Sequence, residues 1–190
     1  MSFGKAICKF PVGCGSWADF DNSWFRSGDM HRVDSDGRVY FVDRLGDTFR
    51  WKSENVSTNE VSDVLGQHPH IAEANVYGVT IPNADGRCGM AAIVLAGDIK
   101  EDAADFRGLA RHVLEALPRY AVPYFLRITP QLDYTGTLKM QKGRLKREGI
   151  DVETIEGFGD KMYWLLPDRK EYVPFTRSHY ESLKAGKVRL

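Results

Sequence analysis

The sequence is poor in cysteine and shows no pattern in the little it has: Cys8, Cys14 and Cys88 are the three. An odd count without a CxxC pair argues against a disulfide framework and against a zinc ribbon, and it predicts reduced thiols in a cytoplasmic protein. A metal site built on Cys8, Cys14 and a histidine is the weaker reading, so no bound metal is expected. Long apolar runs are missing as well. None approaches the roughly 18 residues of a membrane span, and the opening MSFGKAICKFPVG lacks the sustained apolar stretch of a signal peptide. Peripheral attachment to the cytosolic face of a membrane stays open. Excess charge of one sign is absent too: Lys plus Arg and Asp plus Glu number 26 each. With no global field and no reading motif, the basic cluster at residues 139–147 is a poor case for nucleic-acid binding.

What is present is a chain of 190 residues, 43% hydrophobic, enough for one domain or one domain with part of another. Residues 1–22 carry Gly4, Pro11, Gly13 and Gly15, which break any period. From Trp24 the pattern sharpens. Asp34-Ser35-Asp36-Gly37 is turn chemistry before the strand-like Arg38-Val39-Tyr40-Phe41-Val42. No closing Glu follows, so a hairpin turn is favoured over a calcium loop. Residues 48–52 read as a second short strand. Ser57-Thr58-Asn59-Glu60 is a capping box that starts a helix with Val61, Val64 and Leu65 on one face, ending near Pro69. Strands are expected over 71–81 and 87–96, with a turn at Pro82-Asn83-Ala84-Asp85-Gly86 between them. Phe106, Leu109, Ala110, Val113, Leu114 and Leu117 recur at helical spacing, which predicts a helix over 102–117 that Pro118 stops. A strand over 124–128, a short basic helix or turn over 139–148, a strand or anchoring segment over 162–166 and a helix over 180–185 complete the reading. The order after Gly46 is β, α, β, β, α, β: an α+β fold with a small mixed sheet and helices packed on one face.

Several separated motifs resemble the carboxy-terminal part of the adenylate-forming, AMP-binding superfamily, and within it the fatty acid transport proteins or very-long-chain acyl-CoA synthetases. They are DRLGDTFRWKSENVST at 43–58, YAVPYFLRI at 120–128, TGTLKMQK at 135–142 and GKVRL at 186–190. The resemblance covers residues 24–190. It implies residues 1–45 as a hairpin remnant of the large amino-terminal AMP-binding domain and residues 46–190 as the mobile carboxy-terminal domain with its tail. It also implies a ligase chemistry: fatty acid and ATP give an acyl-adenylate and pyrophosphate, and coenzyme A displaces AMP. ATP, with Mg2+, and coenzyme A are then substrates of the complete enzyme. The small domain rotates between the two steps.

By the same resemblance, Asp29 binds ribose, as a carboxylate can accept from two vicinal hydroxyls. Arg44 contacts the nucleotide, its plainer reading being an ion pair with Asp43 or Asp47. Gly46 is the hinge, since glycine visits both signs of φ. Lys139 is the adenylation lysine, neutralising charge that grows in the transition state. Lys142 competes for that role, and a solvated basic face with Arg144, Lys146 and Arg147 is the plainer reading of both. Arg50, Trp51, Lys52 and Ser53 face coenzyme A. Trp51 is equally readable as core, and Ser53 stands where relatives have glycine, a departure that is either tolerated or slows the thioester step.

The sequence holds no Gly/Ser/Thr-rich phosphate loop of the SGTTG-x-PK kind. The chain is therefore expected to need a separate amino-terminal domain as partner and to be inactive alone. The competing expectation is a non-catalytic interaction or regulatory module derived from the same domain.

Overall fold

Turn-forming residues punctuate the chain, and the strands form between them. The computed structural model describes residues 8–9, 24–25, 29–44, 48–97, 99–134, 136, 140–166, 168–188 and 190. The expected roles of Gly46 and Lys139 lie outside the described residues, as do Gly28 and the segment around Cys14. The chain divides into two units, Met1–Asp47 and Thr48–Leu190. In the first, β1 (Cys8–Lys9) pairs antiparallel with β2 (Trp24–Phe25), and β3 (Asp29–Val33) with β4 (Val39–Arg44). The β3–β4 turn is the expected one. Asp34 Oδ1 accepts from the amides of Asp36 (3.0 Å) and Arg38 (2.9 Å), and Gly37 takes φ +78°. The Asp34 carboxylate is thus occupied in shaping the turn.

In the second unit, a hairpin of β5 (Phe49–Trp51) and β6 (Glu54–Val56) leads into α1 (Thr58–Gly66). The cap works as the sequence implied, with the Ser57 side chain accepting from the Glu60 amide at 3.3 Å. A five-stranded sheet follows in the order β11-β10-β9-β8-β7, built from β7 (Ile71–Val79), β8 (Cys88–Leu95), β9 (Phe125–Ile128), β10 (Lys161–Trp164) and β11 (Val173–Pro174). Only β8 and β9 run parallel, because α2 (Phe106–Ala116) carries the chain across between them. The fold is the expected α+β arrangement around a small mixed sheet.

The pairing register sorts the core into two faces. Val76, Ala91, Leu126 and Tyr163 form one cross-strand row, and Tyr77, Met90, Phe125 and Trp164 form a row on the other side. Both rows are buried. On the first face Phe106 of α2 stacks on Tyr163 with ring centroids 4.1 Å apart. There α2 also meets α1, through His112 Nε2 against the Val64 carbonyl oxygen at 2.7 Å. The second face is covered as well, by α3 (Gly143–Glu148), α4 (Val152–Gly157) and α5 (Arg177–Lys184), so helices pack on both faces of the sheet and not on one as expected. Phe175 there meets Phe125 at 5.2 Å and Trp164 at 5.1 Å.

Three helix starts differ from expectation, the simplest being α3, which begins at Gly143 within the basic segment read over 139–148. The periodic run over 102–117 begins as a 3-10 turn, Glu101–Ala103, and α2 proper starts at Phe106. The cause is Asp105, whose carboxylate accepts from the Gly108 amide at 2.8 Å and caps the helix there. Leu114, read as a core position, is 37% exposed. The last helix starts before Tyr180, at Arg177, where Thr176 and His179 form a capping box.

Where α1 ends against α2, three histidines gather. His68 is buried, its ring 5.4 Å from His70 and 5.7 Å from His112. Burial first, then the neighbouring His70 and His112, hold its pKa below the ordinary 6.5, against an upward pull from Asp105. The folded state therefore takes up its proton later than the unfolded chain as pH falls, and stability drops as pH moves down from about 6.5. His68→Asn keeps an acceptor for the His70 amide, which now donates to His68 Nδ1 at 3.3 Å. Urea unfolding between pH 7.5 and pH 5.5 is expected to show a shallower stability loss in His68→Asn than in the parent; parallel profiles contradict this.

Candidate functional site

The β5–β6 hairpin is an exposed tip on a buried base. Burial alternates along β5, so Phe49 and Trp51 enter the core and Arg50 points to solvent. Phe49 lies so close over β7 and β8 that a Cβ on Gly78 would come within 2.4 Å of it. Those two sheet positions, Gly78 and its partner Gly89, thereby seat the hairpin. Trp51 is 2% exposed and meets Tyr124 edge-on at 6.4 Å. Lys52 Nζ lies 5.8 Å from the Trp51 ring and 5.9 Å from the Tyr124 ring, so its ammonium rests on an aromatic edge of the core. Burial pushes the nearby Cys88 thiol up, opposed by Lys52, and leaves a protonated, unreactive sulfur beneath the site. Of the four residues expected to face coenzyme A, then, Arg50, Lys52 and Ser53 are exposed and Trp51 is core.

Two residues make the turn, and both have positive φ: Lys52 at 49° and Ser53 at 67°. This is the geometry of a two-residue hairpin turn that favours Asn-Gly. A side chain held there costs roughly 1–2 kcal/mol, against the roughly 0.5–1 kcal/mol of chain entropy that glycine brings. Ser53→Gly is expected to stabilise the chain by about 0.5–1 kcal/mol, read as a higher urea midpoint; a lower midpoint contradicts the strain.

The hairpin is tied to the loop after β7. Trp51 bridges Gly86, and the Arg87 amide donates to the Arg50 carbonyl at 2.7 Å. Gly86 takes φ +88°, and a Cβ there would meet the Arg50 carbonyl oxygen at 2.6 Å, so a glycine is required.

The expected nucleotide residues Asp29 and Arg44 are cross-strand partners at the open end of the β3–β4 hairpin. Lys139 lies outside the described residues, but its flanks do not. Tyr134 bridges Met140, and the Gln141 amide donates to the Asp133 carbonyl at 2.8 Å. The Gln141 carbonyl in turn accepts from Asn75 Nδ2 at 3.1 Å, which pins this segment to β7. Lys142, the competing lysine, donates from Nζ to Thr58 Oγ1 at 2.8 Å, at the start of α1. Arg144 is engaged by Asp133 at 2.9 Å and by Glu148 at 3.2 Å. Among the described residues no group of His, Cys, Asp and Glu is arranged to hold a metal ion, and no helix is long and apolar enough to cross a membrane.

The AMP-binding enzyme C-terminal domain family matches residues 60–139. A very long-chain fatty acid transport protein of Cochliobolus heterostrophus is 57% identical over 169 residues, 88% of this chain and 26% of that protein. The chain carries an AMP-binding enzyme C-terminal domain. This C-terminal domain is also similar to isopenicillin N epimerase component 1 of Hapsidospora chrysogena, 46% identical over 84% of this chain and 27% of that protein. Among solved structures, an o-succinylbenzoate CoA synthetase of Bacillus subtilis bound to its acyl-adenylate matches 68% of this chain and 25% of its own, at 29% identity and TM-score 0.59. The chain thus spans about a quarter of the length of these relatives. Through its AMP-binding enzyme C-terminal domain the chain is thus similar to fatty acid transport proteins and to a CoA synthetase.

Sequence reasoning missed Asn83 and Gly86. Both lay in a segment read as a plain turn, where an Asn and a Gly were the signal for positive φ.

Proposed function

We propose that this chain supplies the mobile domain of a fatty acid–CoA ligase, and that it works with an amino-terminal AMP-binding domain that binds ATP and the fatty acid. In the first step the fatty carboxylate attacks the α-phosphate of ATP, with Mg2+ arriving as part of the nucleotide substrate, and pyrophosphate leaves. The Lys139 ammonium stands between carboxylate and phosphate and offsets the charge that gathers there. Asp29 takes the ribose hydroxyls and Arg44 the nucleotide beside the hinge at Gly46. Their cross-strand pairing supports a contact made by both strands at once. The division of the chain after Asp47 supports a pivot beside Gly46. In the second step the domain turns and offers Arg50, Lys52 and Ser53. The thiolate of coenzyme A attacks the acyl carbonyl, and AMP leaves.

The observation that carries this reading is the hairpin: three exposed polar residues on a tip whose base is locked into the core by Phe49 and Trp51. Such an element is rigid enough to be presented as a unit to a second domain. The tie of Lys142 to Thr58 supports the choice of Lys139, because it commits the other ammonium to a structural bond. The acyl group remains the least constrained part, since relatives at 57% and 46% identity carry different names.

The test joins this chain to the large domain of the Cochliobolus heterostrophus relative. Oleate, ATP and coenzyme A are expected to give oleoyl-CoA with the joined protein and no pyrophosphate with this chain alone. Pyrophosphate release by the chain alone, or a joined protein that folds and forms no acyl-CoA, overturns the reading.

A further inference from the structure

A cleft of about 590 Å³ opens beside the hairpin, between Trp51 and Lys52 on one side and the end of α5 with the residues after it on the other. Its floor is the loop after β7, Ile81 to Asp85. The closing residues of the sequence reach it by a sharp reversal. Gly186 takes φ +69°, its amide donates to the Leu183 carbonyl at 3.0 Å, and the Lys187 amide donates to the Ser182 carbonyl at 3.0 Å. These two bonds are the pair that ends a helix on a left-handed glycine and turns the chain back. Val188 and Leu190 then pack, half-buried, against the core and form a wall of the cleft.

Asn83 holds this arrangement together. It adopts φ +58°, which an asparagine tolerates better than most residues, and so aims its amide at α5. Its Nδ2 donates to the carbonyls of Leu183 (3.0 Å) and Lys184 (2.9 Å) in the last turn of the helix, the first of which also accepts from the Gly186 amide. Three residues further on, the same loop contacts the hairpin through Gly86 against Trp51 and through the Arg87 amide on the Arg50 carbonyl, at 2.7 Å. A continuous path therefore runs from the reversal at Gly186, through Asn83 and the loop, to the backbone of Arg50 and Trp51.

We infer that Gly186, Val188 and Leu190 form a brace for the β5–β6 hairpin and that Asn83 is the positioning residue that transmits it. The consequence for coenzyme A rests on the reading of the hairpin given above. The brace fixes the angle at which Lys52 and Ser53 are offered in the second step and has no part in the first. A hairpin whose turn carries side chains at two positive-φ positions needs such outside support, because its own turn disfavours the geometry it holds.

Two variants isolate the brace. Asn83→Gly keeps the positive φ without strain and removes only the side-chain bonds; a chain ending at Lys187 removes the wall. On the chain itself, amide hydrogen exchange at Trp51–Glu54 is expected to rise about tenfold in both, while β9 and α2 stay protected. An unchanged hairpin, or a uniform rise across the domain, overturns the brace. In the chain joined to a large domain, the KM for coenzyme A in transfer from preformed acyl-adenylate is expected to rise about tenfold, with adenylate formation within about twofold of the parent. Equal losses in both half-reactions overturn the positioning role. A joined parent that forms no acyl-CoA defeats the coenzyme A reading and leaves the exchange result to decide the brace.

Discussion

Replacing Arg127 by alanine is expected to lower the unfolding free energy by about 3–5 kcal/mol, read from urea or guanidinium unfolding. Arg127 lies on β9 with its side chain fully buried. Its Nε donates to Asp160 Oδ2 at 2.6 Å and its Nη1 donates to Glu148 Oε2. The two carboxylates are themselves only 5% and 10% exposed. This triad joins the central sheet to the end of α3 and to the entry of β10, and Phe158 closes it, its ring 5.9 Å from the guanidinium carbon. Alanine would leave two carboxylates in a region that water barely reaches, and the cost comes mainly from that desolvation. Removing all three charges with Arg127→Met, Glu148→Leu and Asp160→Leu is expected to return most of the lost stability. A triple variant as unstable as Arg127→Ala would show that packing, and not stranded charge, sets the penalty. The buried Tyr77 hydroxyl belongs to the same cluster: burial pushes its pKa up, and the Arg127 guanidinium opposes the rise.

How legible such features were in the sequence depended on their range. Local chemistry read well. The Ser57 cap, the Asp34–Gly37 turn and the long apolar strands 7 and 8 follow from side chains within a few residues of one another. Elements whose stability is borrowed read poorly. β6 exposes two of its three residues, so no alternation announces it, and it exists because β5 and the turn hold it. α4 has six residues, too few for a periodic signal, and forms because Asp151 caps it and Val152 and Ile155 reach the core. Nothing local in FLRI marks Arg127 as a buried charge. Only the pairing of β9 with β8 on one side and β10 on the other encloses it. The exposed tip of the site came from the resemblance, which named Arg50, Lys52 and Ser53. What supports the tip did not, since Asn83 and its acceptors Leu183 and Lys184 are about a hundred residues apart in sequence.

The largest functional effect is expected at Lys139. In the chain joined to a large domain, Lys139→Ala is expected to slow adenylate formation by about 10²–10³-fold, the usual effect of deleting one preorganised charge from a transition state. Transfer of a preformed oleoyl-adenylate to coenzyme A is expected to stay within about threefold of the parent, because the proposed function gives that step to the hairpin and not to the lysine. Lys142→Ala should act mainly on stability. It removes the Nζ bond to Thr58 Oγ1, which links the start of α3 to the start of α1, and so loosens the anchorage of the lysine-bearing segment. The segment keeps its other fastenings, the Tyr134–Met140 bridge and the Asn75 Nδ2 bond to the Gln141 carbonyl at 3.1 Å. Lys142→Ala is therefore expected to cost about 1 kcal/mol of stability and no more than about tenfold in adenylate formation. Pyrophosphate release in the absence of coenzyme A measures the first step, and acyl-CoA from synthetic adenylate measures the second. If Lys142→Ala suffers the deep loss and Lys139→Ala the shallow one, the adenylation lysine is Lys142, and the tie to Thr58 must break when the domain closes on its nucleotide.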